Sequence, residues 1–248
     1  MNYFNPKAYL KEYYSHVSPE NKAILEFFAE VAKRNVSGEP KHLELGCGPT
    51  IYQAIALAPK VSEIVYTDGF QESIDEIKHW LEDHEDSFDW KKFIHATMEA
   101  ENGKSPTEQE VKDREEHIKG KIKKQGILDI SSTESISRYI KEHGPFGSIS
   151  SVFALEVPAK DHDHLKSLLQ TIYKDLPKGG VFNAVMVAGG QEYKVGESYL
   201  RNLRLETDDL KKMLTSIGFK VNEAIWRYVP ADKEDEGYKG IMMISVLK

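Results

Sequence analysis

The stretch "HLELGCGPTIYQ", residues 42–53, constrains this chain more than any other. A short apolar run breaks into two closely spaced glycines and then resumes. A strand that turns on glycine in this way is a ligand junction of open α/β sheets, because glycine lets the backbone approach a bound group closely. The next apolar run, "EIVYTD", closes on Asp68, about 20 residues after the first glycine, where an acid can accept from ribose hydroxyls. The dinucleotide form of the junction wants a third glycine, but Ile51 occupies that place. Pro49 also lacks the N–H that a pyrophosphate would use. An adenosine with its diol but no pyrophosphate fits better, which describes S-adenosylmethionine.

Strand and helix signals alternate, so the expected fold is α/β, with helices on both faces of a mostly parallel sheet. Ser18-Pro19-Glu20 starts a helix carrying Ile24, Phe27, Phe28 and Val31 at helical spacing. Ile74, Ile77, Trp80 and Leu81 mark another. "FIHAT" reads as the third strand, and residues 98–125, rich in both charge signs, as a surface excursion with a solvated helix. "GILDI", "GSISSVFALE" and "VFNAVMVAGG" are further strand signals. Between the last two lies a helix stripe through Leu165, Leu168, Leu169, Ile172 and Leu176. Thr207 is read as the cap of a helix through Leu210, Met213, Leu214 and Ile217, stopped by Gly218. "FKVNEAIWRYV" and "GIMMISVL", with no helix between them, should pair antiparallel.

Bulk properties narrow the class. The net charge of −7 argues against a nucleic-acid partner. A lone cysteine, Cys47, fits a reducing compartment. No apolar run approaches the roughly 18 residues of a membrane span, and the N-terminus lacks the basic-then-apolar layout of a signal peptide. The expectation is a cytoplasmic monomer of one domain over 1–248, in which 1–37 form a cap. "DHDH" at 161–164 reads as a helix start rather than a metal site, because His162 and His164 point apart; no metal is expected. Cys47 reads as a small buried thiol.

Taken together, "ELGCGP" and "YTDG" resemble motifs one and two of the class I methyltransferases. A narrower resemblance is to the nicotinamide/phenylethanolamine/indolethylamine N-methyltransferase family. It is carried by "YFNPKAYLKEYYS", "GCGPTIYQ", "DW" at 89–90, the "LE" of "FALEVPAKDHDHL", "LPKGG" and "YKVGE", in family order along nearly the whole chain. The resemblance implies a Rossmann-like sheet of seven strands with a C-terminal antiparallel hairpin and an N-terminal helical cap. It implies S-adenosylmethionine as cofactor and methyl transfer to nitrogen of a small molecule. Tyr9 and Tyr14 would close over the cofactor, and Gly46, Gly48, Thr50 and Tyr52 would surround its methionine portion. Asp68 would hold the ribose, with Ser73 where the family often has Asn, and Asp129 and Ile130 would read the adenine. On the acceptor side Glu156 matches a family acid and is the candidate catalytic residue. Glu236 aligns loosely with a second acid, and Tyr193 with a family aromatic. Met186 stands where the nicotinamide branch carries Asp, which turns the expectation away from nicotinamide. Without the resemblance, Glu156 reads equally as a solvated strand-end acid, and the tyrosine cluster as core packing. Three other readings remain open: a thiol methyltransferase of the same fold, an NAD-dependent oxidoreductase, and a non-catalytic cofactor-binding interaction protein.

Overall fold

The computed structural model describes residues 4–34, 38–195, 198–231 and 237–248, with the backbone alone at Tyr193, Val195, Ser198 and Leu200. The first five strands are β1 (His42–Leu45), β2 (Ile64–Asp68), β3 (Ile122–Ile127), β4 (Ser148–Val152) and β5 (Val181–Ala188). A separate hairpin follows, β6 (Glu192–Val195) with β7 (Ser198–Arg201), and then β8 (Ile225–Pro230) and β9 (Gly240–Leu247). One seven-stranded sheet has the order β3-β2-β1-β4-β5-β9-β8. Its first five strands run parallel, and β9 lies antiparallel to both β5 and β8. Every residue of β1, β2 and β4 is buried, as expected for parallel strands covered on both faces.

Two helical layers cover the sheet. On one face lie α1 (Pro6–Tyr14), α2 (Pro19–Lys33), α3 (Gln71–Leu81), α4 (Lys91–Asn102) and α5 (Glu108–Lys121). On the other lie α6 (Thr133–His143), α7 (His162–Asp175) and α8 (Thr207–Ile217). In α2, capped by Ser18, Phe27 and Phe28 are fully buried, each contributing ~2 kcal/mol of apolar burial. Among the described residues of the N-terminal segment read as a cap, Phe4 and α1 reach the pocket described below. α2 is a wall of the core packed against α4.

Three local expectations are corrected. "FIHAT" belongs to α4, where Phe93, Ile94, Thr97 and Met98 fall on one buried helical face. The third strand is instead Ile122–Ile127, which starts inside the charged stretch, directly after a helix with a complete Thr107–Glu110 capping box, and takes in only the first two residues of "GILDI". As a sheet edge it tolerates exposed Lys123 and Lys124, which hide it from a search for apolar runs. The cap of α8 is Glu206, in a reciprocal pair with Asp209, and Thr207 is the first helical residue.

The connection direction reverses between β1 and β4: β2 and β3 lie to one side of β1, and β4 and β5 to the other. A crevice beyond the carboxyl ends of the strands opens at such a switch point.

Candidate cofactor and acceptor site

The glycine turn is built to hold an acid. Gly46 and Gly48 have φ values of 71° and 57°, a region that glycine enters without a Cβ penalty. The N–H groups of Gly46 and Cys47 both donate to the Thr67 carbonyl, at 2.8 and 2.9 Å. Gly48 N–H donates to Asp68 Oδ2 at 2.8 Å, and Phe70 N–H to Asp68 Oδ1 at 2.9 Å. These turn amides are therefore committed within the protein, and Pro49 has none, so the turn is no pyrophosphate cradle. Asp68 is 6% exposed. Burial raises its pKa, and the backbone donors oppose that shift. Each of its oxygens keeps acceptor capacity for a vicinal diol.

The two glycines do different jobs. A Cβ on Gly46 would stand 2.5 Å from Ala154 Cβ and 2.9 Å from Ile130 Cδ1, so this glycine lets β1 and the residues after β4 close together. A Cβ on Gly48 would meet nothing within 4 Å, because that position faces open space. Thr50 directs its hydroxyl inward, to the Cys47 carbonyl at 2.8 Å, and so stiffens the turn.

Aromatic side chains form one wall. Tyr9 and Tyr14 on α1 bring their hydroxyls to 3.4 Å. The Tyr14 ring lies 5.1 Å from Tyr52 and 5.7 Å from Trp90, between centroids, so the "DW" landmark is the anchor of α1. Phe4 stacks on Phe70 at 5.4 Å. Tyr13 O–H donates to the Lys194 carbonyl at 2.5 Å, joining α1 to the β6–β7 hairpin.

All ten residues read from the sequence as cofactor contacts line one pocket of about 310 Å³: Tyr9, Tyr14, Gly46, Gly48, Thr50, Tyr52, Asp68, Ser73, Asp129 and Ile130. Ser73 is fully buried at the pocket wall, and its hydroxyl faces Asp68, whose pKa it helps to hold down against burial. Asp129 accepts from Ser131 N–H and O–H at 2.9 and 2.6 Å, which orients it after β3. Residues that sequence reasoning missed complete the lining, among them Phe4, Phe70, Phe153, Val157 and Pro158. Phe153 has a φ of 53°, a left-handed conformation that costs a side-chain-bearing residue about 1–2 kcal/mol and marks functional walls. Its strain has no signature in the sequence. Space beyond Gly48, a buried acid with spare acceptor capacity, a buried hydroxyl beside it and aromatic walls together fit an adenosine-bearing cofactor.

The acceptor side is less complete. Glu156 is 1% exposed and adjoins Val157 and Pro158 of the pocket lining. Its Oε1 accepts from Val187 N–H at 3.2 Å, while Oε2 is buried with no partner among the described residues. Burial pushes its pKa up to about 7. The reading of Glu156 as a solvated strand-end acid is thereby corrected. Met186, named as an acceptor-side position, is fully buried in the opposite core layer and does not line the pocket. On β5 alternate residues face opposite layers, and Met186 shares the parity of Phe182 and Ala184. Tyr193 is placed on β6 by its backbone, opposite Leu200. Glu236 lies outside the described residues.

The remaining motifs have structural explanations. Asp161 caps α7 by accepting from His164 N–H at 2.7 Å. His162 contacts the Arg204 carbonyl and His164 the Ser131 carbonyl, so the two imidazoles part as expected. Among the described residues no cluster of three metal-ligating side chains occurs. Cys47 is buried, and burial together with the Asp68 and Glu44 carboxylates pushes its thiol pKa well up, which disfavours the thiolate.

Comparison with known proteins gives concordant results. The model of the NNMT/PNMT/TEMT family matches residues 1–248. Indolethylamine N-methyltransferase of Mus musculus is 24% identical over 225 residues, covering 88% of this chain and 83% of that protein. Nicotinamide N-methyltransferase of Homo sapiens is 24% identical over 230 residues, covering 89% and 84%. Phenylethanolamine N-methyltransferase of Rattus norvegicus is 25% identical over 239 residues, covering 92% and 81%. Among solved structures, an S-adenosylmethionine-dependent methyltransferase from Clostridium acetobutylicum aligns with a TM-score of 0.52 at 15% identity, covering 91% of each chain. The cyclase SpnF aligns at 0.54 and 13% identity, covering 95% of this chain and 84% of that one. The same fold thus carries differently named activities, and the reaction has to be argued from the site.

Proposed function

The chain belongs to the NNMT/PNMT/TEMT family and is a methyltransferase that uses S-adenosylmethionine, and from that premise we propose that it methylates the nitrogen of a small amine or N-heterocycle. S-adenosylmethionine supplies an electrophilic methyl group and leaves as S-adenosylhomocysteine. The protein's share of the work is to align the nucleophile in line with that group and to exclude water.

In this reading Asp68 and Ser73 hold the ribose, and Asp129 and Ile130 the adenine. Gly46, Gly48, Thr50 and Tyr52 shape the floor under the methionine portion, and Tyr9 and Tyr14 close over it. Glu156 serves the acceptor. Its buried carboxylate with one unpartnered oxygen is the observation that carries the nitrogen assignment. A protonated amine cannot attack, and a carboxyl titrating near 7 both attracts the ammonium and takes its proton at Oε2. Tyr193 and Glu236 are proposed to complete the acceptor contacts. Met186, buried in the opposite core layer, takes no part. The enzyme is proposed to work as a cytoplasmic monomer of one domain. Among the described residues no helix is long and apolar enough to cross a membrane.

Incubating the pure protein with methyl-labelled cofactor and a panel of amines, N-heterocycles, thiols and phenols tests the proposal. N-methylated products are expected. Turnover of thiols or oxygen acceptors alone would overturn the nitrogen assignment.

A further inference from the structure

Glu156 stands in a stretch that neither a strand ladder nor a helix fixes. Between β4 and α7 the chain runs as turns, and Glu156, Val157, Pro158 and Ala159 lie within it. Glu156 and Ala159 are buried, and Val157 and Pro158 line the pocket. Buried carbonyls need partners wherever sheet and helix do not supply them. Here the partners come from one short stretch, 201–204, at the end of β7 and just beyond it. Leu203 N–H donates to the Glu156 carbonyl at 3.0 Å. Arg201 Nη1 donates to the Ala159 carbonyl at 2.9 Å, and Nη2 to the Lys160 carbonyl at 2.7 Å. Farther along, His162 Nε2 donates to the Arg204 carbonyl at 2.9 Å. The two stretches are thus joined side by side from Glu156 to His162.

Arg201 has a distinct place in this seam. Its guanidinium is a rigid planar fork, and here it spans two successive carbonyls, fixing the course of the chain three and four residues after Glu156. On β7 it stands opposite Glu192 of β6, so the clamp is rooted in a strand pair. The Glu156 carboxyl itself has one tie among the described residues, Val187 N–H to Oε1. Burial raises its pKa, backbone N–H groups oppose the rise, and among the described residues no charged side chain contributes. Arg201 therefore reaches Glu156 through the backbone and not through its charge.

We propose that Arg201 is a positioning residue for the acceptor end, whose grip on the Ala159 and Lys160 carbonyls keeps Glu156 buried and holds Val157 and Pro158 against the pocket. The role rests on the reading of Glu156 as the acid that serves the acceptor. Without the clamp the turn stretch loosens, water reaches the carboxyl, and its proton leaves at lower pH. A hydrated carboxylate is a weaker base for the proton of an ammonium. The cofactor end keeps its own supports, since Asp68 and the glycine turn are tied to each other after β1 and β2.

Urea unfolding at pH 4 and pH 8 tests the clamp without any acceptor. Glu156→Gln is made in the wild type and in Arg201→Met, and the stabilisation it brings at pH 8 is compared. Arg201 is exposed, so its replacement spares the core. With Glu156 hydrated, that stabilisation should shrink to about half or less in the Arg201→Met background. An equal stabilisation in both backgrounds would overturn the proposal. In Arg201→Met alone, acceptor kcat/KM with the best amine of the panel above should fall about tenfold, and S-adenosylhomocysteine affinity by calorimetry should stay within about threefold. Equal losses in the two would mean a general loosening and contradict it. Arg201→Lys keeps the charge without the fork and should recover little; full recovery would assign the effect to charge instead. Arg227→Met breaks a tie from β8 to Glu30 on α2 and serves as the control for a lost surface contact. It should leave all three readings unchanged, and a drop of the same size there would also count against the clamp. If Glu156 takes no part in the reaction, Glu156→Gln alone leaves kcat/KM intact while the urea comparison still reads the clamp, so the two failures are distinct.

Discussion

The two ends of the site differ in how they are made. At the cofactor end, each residue sits in a turn directly after a strand or on a helix anchored beside it. Gly46 and Gly48 follow β1, Asp68 ends β2, and Asp129 follows β3. Strand register fixes such positions to within a residue, so ten of ten candidates converge on one pocket. At the proposed acceptor end the candidates come from the segment after β4, from β5 and from the β6–β7 hairpin, and only long-range packing sets their arrangement. There Glu156 stands just behind the lining, and Met186 turns into the other core layer. A ligand shared across a fold is held by the sheet itself. A ligand particular to one protein is held by what the loops add.

Five substitutions probe that contrast, beginning with the largest effect. Asp68→Ala removes the proposed acceptor for the diol and the anchor of the Gly48 and Phe70 amides. It should weaken S-adenosylhomocysteine by at least about 100-fold in calorimetry. A loss below tenfold would mean that the ribose is held elsewhere.

Glu156→Gln should stabilise the fold while disabling the acceptor end. The unfolded carboxyl titrates near 4.5 and the folded one near about 7. Between those values the unfolded chain releases a proton that the folded chain keeps, so stability falls as pH rises through that window and is flat above it. Glutamine removes this loss. The variant should gain about 3 kcal/mol at pH 8 and almost nothing at pH 4, read by urea unfolding. An equal gain at both pH values would contradict the assigned titration.

Within the cofactor end, the two glycines should separate. Gly46→Ala meets both the φ penalty and the Ala154 and Ile130 contacts, and should cost about 3 kcal/mol or more of stability. Gly48→Ala meets only the φ penalty, about 1–2 kcal/mol. The reverse order in thermal unfolding would show that the closure between β1 and the residues after β4 is looser than described. Smallest of all, Met186→Leu conserves volume in a packed layer. It should cost under about 1.5 kcal/mol and leave cofactor affinity and acceptor KM unchanged. A shifted acceptor KM would return Met186 to the acceptor site.

The sequence revealed most where local chemistry decides structure. Ser18-Pro19, the glycine turn and Asp68 announce a helix start and a ligand junction through capping, backbone freedom and charge. "FIHAT" misleads because five residues carry too little periodicity to separate strand from helix, and its burial against α2 is a tertiary fact. Ile122–Ile127 escapes because an edge strand can present lysines. The strain at Phe153, the inward turn of Met186 and the unpartnered oxygen of Glu156 depend on which faces meet in three dimensions. The sequence names those residues without assigning their surroundings.

The division between the two ends is tested most directly by Glu156→Gln, with S-adenosylhomocysteine affinity and acceptor kcat/KM measured on the same preparation. Cofactor affinity is expected to stay within about twofold of wild type, because Glu156 lies outside the cofactor lining. Acceptor kcat/KM should fall about 100-fold and lose the rise through pH 7 that is expected of the wild type. Parallel losses in both quantities, or an intact pH profile in the variant, would contradict the account.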